Sequence, residues 1–110
     1  MIATRALKLQ REKDVFEIVI RIFAPEGNGR TWSCRYEIDW PEGRQVMDAW
    51  GIDSVQAIRL ALQMIGADIY TSTYHKSGRL VFEAPGLGYG FPVTESLRHL
   101  LVGDDREYGA

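Results

Sequence analysis

The stretch Gly51-Ile-Asp-Ser-Val-Gln-Ala-Ile-Arg-Leu-Ala-Leu-Gln-Met-Ile-Gly-Ala-Asp-Ile-Tyr-Thr-Ser-Thr73 decides the fold, because it carries the one long helical pattern of the sequence. At about 100° per residue, its apolar side chains fall on one stripe of a helix. The members of this stripe are Val55, Ile58, Ala61, Leu62, Ile65 and Ile69. Asp53 is the predicted N-cap, since Gln56 follows at the spacing of a capping box. Such a helix needs an apolar surface to pack against.

Alternation of apolar and polar residues predicts strands on both sides of this helix. The clearest strand spans residues 31–40, and its inward face consists of Trp32, Cys34, Tyr36, Ile38 and Trp40. Further strands are predicted over residues 4–10, 15–24 and 45–50 before the helix, and over residues 79–83 after it. The short turns between the first four strands permit only antiparallel pairing.

These patterns predict an α+β fold, in which an antiparallel meander of four to five strands carries one long helix packed on one face. A short C-terminal helix is predicted after Thr94, where Leu97, Leu100 and Leu101 recur at helical spacing. Residues 1–102 form the predicted single domain. Residues 103–110 lack apolar periodicity and are predicted to be a mobile C-terminal tail.

Composition and charge argue against several classes of function. The chain of 110 residues has a net charge of −2, which disfavours a dedicated nucleic-acid-binding surface. Its single cysteine, Cys34, allows no intrachain disulfide and fits a reducing cytoplasm. No apolar run approaches the roughly 20 residues needed to span a bilayer. We therefore expect a cytoplasmic protein with neither a nucleic-acid partner nor a membrane partner.

Three segments of the sequence resemble a known family. They are Trp32-Ser-Cys-Arg-Tyr36, the helix lead-in Gly51-Ile-Asp-Ser-Val-Gln-Ala57 with its continuation to Gln63, and the exit motif Gly90-Phe-Pro-Val93. Together they resemble a group of small bacterial domains of unknown function, over residues 15–93. The resemblance implies a compact bacterial domain and gives no activity, cofactor or catalytic residue. By analogy with other small bacterial domains, it also suggests an immunity or accessory protein.

The sequence offers no residue set for catalysis, a cofactor or a metal. Glu37 and Asp39 alternate on an exposed strand face, which lacks the secluded pocket that shifts the pKa of a catalytic carboxylate. The loop Gly86-Leu-Gly-Tyr-Gly90 matches neither the Rossmann nor the P-loop spacing. His75 and His99 have no Cys, His or carboxylate at ligand spacing. We expect no catalytic residue, no cofactor and no metal site.

The outward face of the sheet is the predicted partner-binding surface, because no element is left to cover it. The predicted surface also includes aromatic residues near turns, because such side chains can anchor a partner. The predicted contact residues are Arg21, Arg35, Glu37, Asp39, Trp50 and Tyr89. We therefore expect a protein partner. For an immunity protein, that partner would be a toxin.

Two alternatives stay open. Leu60 and Met64 lie off the main helix stripe, so either the C-terminal leucines or a second copy of the chain must cover them, the latter forming a homodimer. The alternative function is a small-ligand-binding or enzymatic domain. Its pocket would lie between the loop of residues 86–90 and the start of the helix.

Overall fold

A computed structural model describes residues 1–108 and gives an α+β fold with one antiparallel sheet. Among these residues the sheet has six strands. They are β1 (Ala3–Gln10), β2 (Val15–Ile22), β3 (Glu26–Gly27), β4 (Trp32–Trp40), β5 (Gly43–Gly51) and β6 (Leu80–Val81). The order across the sheet is β5-β4-β2-β1-β6, and the short β3 pairs with β4 beside the end of β2. The predicted fold class is confirmed.

One long helix and several short helical segments complete the fold. The long helix is α1 (Ser54–Tyr70), which is followed by α2 (Thr73–Lys76). After β6 come a 3₁₀ turn (Glu95–Leu100) and α3 (Gly103–Tyr108). The predicted N-cap of α1 is confirmed, because Asp53 Oδ1 accepts a hydrogen bond of 2.8 Å from the Gln56 amide. The Gln56 side chain in turn accepts from the Ile52 amide at 2.7 Å.

The core lies between α1 and one face of the sheet. The predicted alternation of β4 is confirmed, since Cys34, Tyr36 and Ile38 are buried and the two tryptophans at its ends are half-buried. The helix contributes five side chains with no exposed surface, namely Ala57, Ala61, Ile65, Ile69 and Tyr70. The register between helix and sheet follows from matching these two apolar faces.

A hydrogen-bonded carboxylate fixes the helix to the sheet. Asp68 Oδ2 accepts from the Tyr36 hydroxyl at 2.5 Å and from Gln45 Nε2 at 3.0 Å. Burial, followed by the bond to Asp68, raises the pKa of Tyr36, so this hydroxyl stays protonated and continues to donate. β4, β5 and α1 are therefore joined at one point by polar bonds as well as by apolar packing.

The predicted helix stripe is wrong at Val55, which is 72% exposed. The helix is covered on a second side by the segment after β6, which lies against Gly66 near Pro92 and Val93. Gly66 lies about three turns beyond Val55. Val55 therefore stays exposed in the first turn, whereas Gly66 and Tyr70 are buried near the end of the helix.

The C-terminal segment also differs from the prediction. A mobile tail was predicted from residue 103, but residues 103–108 form α3, and Asp105 within it is only 2% exposed. Residues 109–110 of the predicted tail lie outside the described residues. The predicted helix after Thr94 is present as the 3₁₀ turn. The packed unit therefore extends past residue 102.

Candidate functional site

The outer face of the sheet, which is the face opposite α1, carries a cluster of paired charges. The register places Arg21 opposite Glu37 and Asp39 opposite Arg44. Arg21 Nη1 lies 2.8 Å from Asp39 Oδ2, and Arg44 Nε donates to Asp39 Oδ1 at 2.9 Å. Three of the predicted partner-binding residues, Arg21, Glu37 and Asp39, therefore lie together, but their charges are already paired within the chain.

The environment of Asp39 keeps its carboxylate ionised. Partial burial acts to raise its pKa, but the ion pair with Arg21 and the hydrogen bond from Arg44 outweigh burial and hold the pKa below its ordinary value. A general acid needs the opposite shift. The cluster is therefore suited to holding neighbouring strands together.

A groove opens on the outer face where β3, β4 and β5 lie side by side. The register aligns Glu26, Ser33 and Trp50 on these three strands, and the small Ser33 side chain forms the floor between the other two. Since adjacent strands lie about 4.8 Å apart, Glu26 and Trp50 stand roughly 10 Å from each other. The groove has a volume of about 290 Å³. Its lining consists of Phe23, Ala24, Glu26, Ser33, Arg35, Glu37, Asp48 and Trp50.

Charge in this groove is predominantly negative. The lining includes three carboxylates and one guanidinium, which belongs to Arg35. Arg35 Nε lies 3.5 Å from Asp48 Oδ1, and both side chains are exposed. Glu26 is exposed and has no cation within salt-bridge distance among the described residues. The predicted residues Arg35, Glu37 and Trp50 belong to the groove, whereas Glu26 and Asp48 were missed.

Tyr89 does not belong to the outer face. It is only 3% exposed, and its ring packs edge-on against Tyr70 with the ring centres 5.1 Å apart. Its hydroxyl lies 2.5 Å from His75 Nδ1 and 3.2 Å from the Leu80 carbonyl oxygen. The loop of residues 86–90 consequently lies at the C-terminal end of α1, not at its start. In this structure Tyr89 is not accessible to a partner.

Little open space is left beneath that loop. Tyr89 and Phe91 are both buried and occupy the interior beside it. Two shallow hollows remain outside them, one of about 170 Å³ lined in part by His75, Leu87 and Val102, and one of about 180 Å³ lined in part by Arg5, Leu62 and Gly90. The start of α1, where the alternative pocket was expected, contributes to neither hollow.

Asp105 is the buried polar residue that the sequence analysis missed. Its carboxylate accepts from the Tyr70 hydroxyl at 2.6 Å, from the Tyr89 amide at 2.9 Å and from the Gly90 amide at 3.0 Å. Burial, together with the nearby Asp105 charge, raises the pKa of Tyr89 to about 12. No local pattern could have found Asp105, because its three donors are distant in sequence.

A comparison with protein-family models matches residues 3–93 to a domain of unknown function, DUF6968. The chain belongs to the DUF6968 family. The matched region of this DUF6968 domain includes all six described strands and α1, and it ends ahead of Asp105. A search of curated proteins and a search of solved structures found no match.

The predicted oligomer contacts of the DUF6968 domain, Leu60 and Met64, are half-buried and pack against the core. They therefore do not form an exposed apolar patch. Larger exposed apolar side chains lie on β5, where Val46 is 46%, Met47 is 41% and Trp50 is 59% exposed. Among the described strands, β5 thus carries the largest number of exposed large apolar side chains.

Within residues 1–108, no group of three His, Cys, Asp or Glu side chains is arranged to hold a metal ion. Cys34 is buried and donates its thiol to the Phe23 carbonyl oxygen at 3.4 Å, and burial raises its pKa. None of the described helices has both the length and the apolar composition that crossing a membrane requires.

Proposed function

We propose that this domain binds a partner protein through the groove between Trp50 and Glu26. The observation that carries the proposal is the 59% exposure of Trp50 beside the small floor residue Ser33. Trp is among the residues that contribute most to protein interfaces, because it buries a large area at a low cost in side-chain entropy. An exposed indole beside an open groove gives a partner both a surface and a cavity to fill.

The groove favours a partner that inserts a cationic side chain. A guanidinium or ammonium group placed over the Trp50 indole gains a cation–π interaction. The exposed carboxylate of Glu26 stands across the floor at a separation of roughly 10 Å, which one long side chain spans. The excess of carboxylates in the lining attracts such a group and opposes an anionic one.

The more specific form of this proposal is an immunity or accessory protein that acts in the bacterial cytoplasm. Its support is the sequence resemblance together with the exposed groove. In this form the partner is a toxin, and an arginine or lysine of that toxin enters the groove.

The test uses the purified chain as bait for lysate of the source cells and for products of neighbouring genes. Trp50→Ala removes the indole, and Glu26→Lys reverses the charge across the floor. Val55→Ala is the matched control, because Val55 is likewise an exposed apolar residue but lies on α1. Thermal unfolding confirms that all the variants are folded.

We expect the wild-type chain and Val55→Ala to retain the same protein at about 10 µM, and both groove variants to lose it by at least about tenfold in affinity. Equal retention by all four chains contradicts the proposal. So does the absence of any retained protein at that concentration.

A further inference from the structure

The strand β5 leaves one complete edge of the sheet unpaired. It is nine residues long and pairs with β4 along its whole length, and no other described strand pairs with it. The opposite edge is the two-residue strand β6. A long edge strand with exposed apolar side chains is the feature that soluble proteins usually shorten, charge or cover. Here Val46, Met47 and Trp50 are exposed along it.

The hairpin register shows which backbone groups face this free edge. Trp40 pairs with Gly43 across the two-residue turn, so these flanking residues exchange both hydrogen bonds. Hydrogen-bonded pairs then alternate along the hairpin. The N–H and C=O groups of Arg44, Val46, Asp48 and Trp50 therefore point away from β4, toward the free edge.

An independent contact supports this assignment. Arg35 is the β4 partner of Asp48, so the backbone groups of Arg35 should also point away from the β4–β5 pairing. The Arg35 carbonyl oxygen accepts from the Phe23 amide at 3.0 Å, on the other side of β4. This contact agrees with the alternation of hydrogen-bonded pairs along the hairpin.

We propose that β5 pairs with β5 of a second copy of this chain, antiparallel, with a two-fold axis at Val46. In this register Val46 faces Val46 of the second copy, and Arg44 faces Asp48 of the second copy. The symmetric contact between Asp48 and the other Arg44 forms at the same time. All of these residues present their backbone N–H and C=O groups to the shared edge, so the register also satisfies the hydrogen bonds.

Charge selects this register among the two-fold arrangements that align the backbone groups. Axes at Arg44 or at Asp48 place like charges opposite each other. An axis at Gln45 places Asp48 opposite Glu42, and an axis at Met47 places both charges opposite apolar residues. The axis at Val46 is the one that pairs Arg44 with Asp48 in both directions. Like charges directly opposite are destabilising in antiparallel sheets, and opposite charges are stabilising.

The pairing also extends charge rows that exist within each copy. Asp39 and Arg44 are 2.9 Å apart, and Arg35 and Asp48 are 3.5 Å apart. Joined at the edge, the two copies form a row of alternating sign, Asp39–Arg44 of one copy followed by Asp48–Arg35 of the other. The pairing covers Val46 and Met47 as well. Because the axis is perpendicular to the sheet, both Trp50 grooves remain on the same face, and the inference does not depend on the proposed function.

Exchange of charges between two variants tests both the dimer and its register. Arg44→Asp gives a chain with two carboxylates at these positions, and Asp48→Arg gives a chain with two guanidiniums. Each variant alone repels its own copy, whereas a mixture of the two restores both opposite-charge pairs. Mass in solution is measured by light scattering and sedimentation. We expect a wild-type dimer, at least a tenfold weaker dimer for each variant alone, and a restored heterodimer in the equimolar mixture.

Arg44 also contacts Asp39, so the charge changes could disturb folding. A second pair of variants then tests the β5–β5 dimer. Val46→Pro removes an edge N–H at a position where proline is tolerated, and Val46→Thr keeps that N–H. We expect Val46→Pro to be a folded monomer and Val46→Thr to be a dimer. The inference is overturned if the wild-type chain is monomeric at about 100 µM. This holds whether the monomer is free or is bound through β5 to a different protein. A dimer that survives Val46→Pro, or a variant mixture that stays monomeric while wild type is a dimer, also overturns it.

Discussion

The buried side chain of Asp105 stabilises the packing of the C-terminal third of the chain. It is almost fully buried, and a buried carboxylate is tolerated only when hydrogen-bond donors replace the lost water. Three donors do so here, from Tyr70 and from the amides of Tyr89 and Gly90. Gly88 lies so close that an added Cβ would come within 2.4 Å of the Asp105 carboxyl carbon. The loop is therefore shaped around this side chain.

Replacing Asp105 with asparagine should destabilise the fold. The amide side chain presents one acceptor oxygen and one N–H₂ group, so either the Gly90 or the Tyr89 amide faces a donor and stays unsatisfied. We expect Asp105→Asn to lower the free energy of unfolding by about 1–3 kcal/mol in urea titrations, with faster amide exchange at Tyr89 and Gly90. The exposed neighbour provides the control, Asp104→Asn. Equal stability of the two variants would contradict this role of Asp105.

Gly66 presents a case in which packing overrides helix propensity. Alanine in a helix interior is favoured over glycine by about 1 kcal/mol. However, a Cβ at position 66 would penetrate the carbonyl group of Pro92. Because the obstacle is backbone, we expect Gly66→Ala to lower the free energy of unfolding by about 1 kcal/mol or more in thermal unfolding. Arg59→Ala, at an exposed position of the same helix, is the control, and a Gly66→Ala chain more stable than wild type would refute the close approach.

Among the elements, α2 carries the one histidine that is enclosed by aromatic rings in the described residues. His75 packs edge-on against Tyr70 and Tyr89, with ring centres 4.9 Å and 5.4 Å away. Burial lowers its pKa from the ordinary 6.5. The unfolded chain therefore binds a proton at higher pH than the folded chain does, and acid favours unfolding through this group.

The pH dependence of stability should reflect His75. Its contribution is complete above about pH 6.5 and is lost as the pH falls toward the lowered folded pKa. We expect the loss of stability between about pH 7.5 and about pH 5.5 to be smaller in His75→Gln than in wild type. Chemical unfolding at a series of pH values measures this difference. His99→Gln changes an exposed histidine and should behave as wild type; a wild-type slope in His75→Gln would exclude His75 as the source.

The strands differed in how well the sequence predicted them, because they differ in how their faces are buried. β4 has one face buried against α1 and one open, so its period of two is clear and its inward residues were predicted. β5 is an edge strand with exposed residues on both faces, so its facing could not be read from hydrophobicity. β3 has two residues and no pattern at all. The Trp50 groove depends on all three registers, so only Arg35, Glu37 and Trp50 of its lining were predicted as contact residues, without Glu26.

For the whole molecule, the family match and the packed unit do not have the same boundary. The match ends at residue 93, but Leu101 is 4% exposed and Asp105 lies deeper still. These residues contact an interior built by α1 and the loop after β6. Sequence reasoning placed the boundary at residue 102 because contacts between distant segments leave no periodic signal.

A chain ending at Val93 should therefore be much less stable than one ending at Tyr108, although both contain every described strand. The shorter chain loses the buried Leu101 side chain and leaves the Tyr70 hydroxyl without its carboxylate acceptor. We expect a loss of at least about 3 kcal/mol in the free energy of unfolding. Denaturant titration of the two chains measures it. Equal midpoints would show that residues 94–108 lie on the surface without contributing to the fold.

Chemical labelling of Cys34 can report how often the folded protein opens. Its thiol is buried in the core on the α1 face of the sheet, the sequence contains no second cysteine, and a raised pKa keeps it protonated. A maleimide or disulfide reagent can reach the sulfur only while this core is open. The rate of labelling consequently gives the frequency with which the core opens, in unaltered protein and without an attached dye.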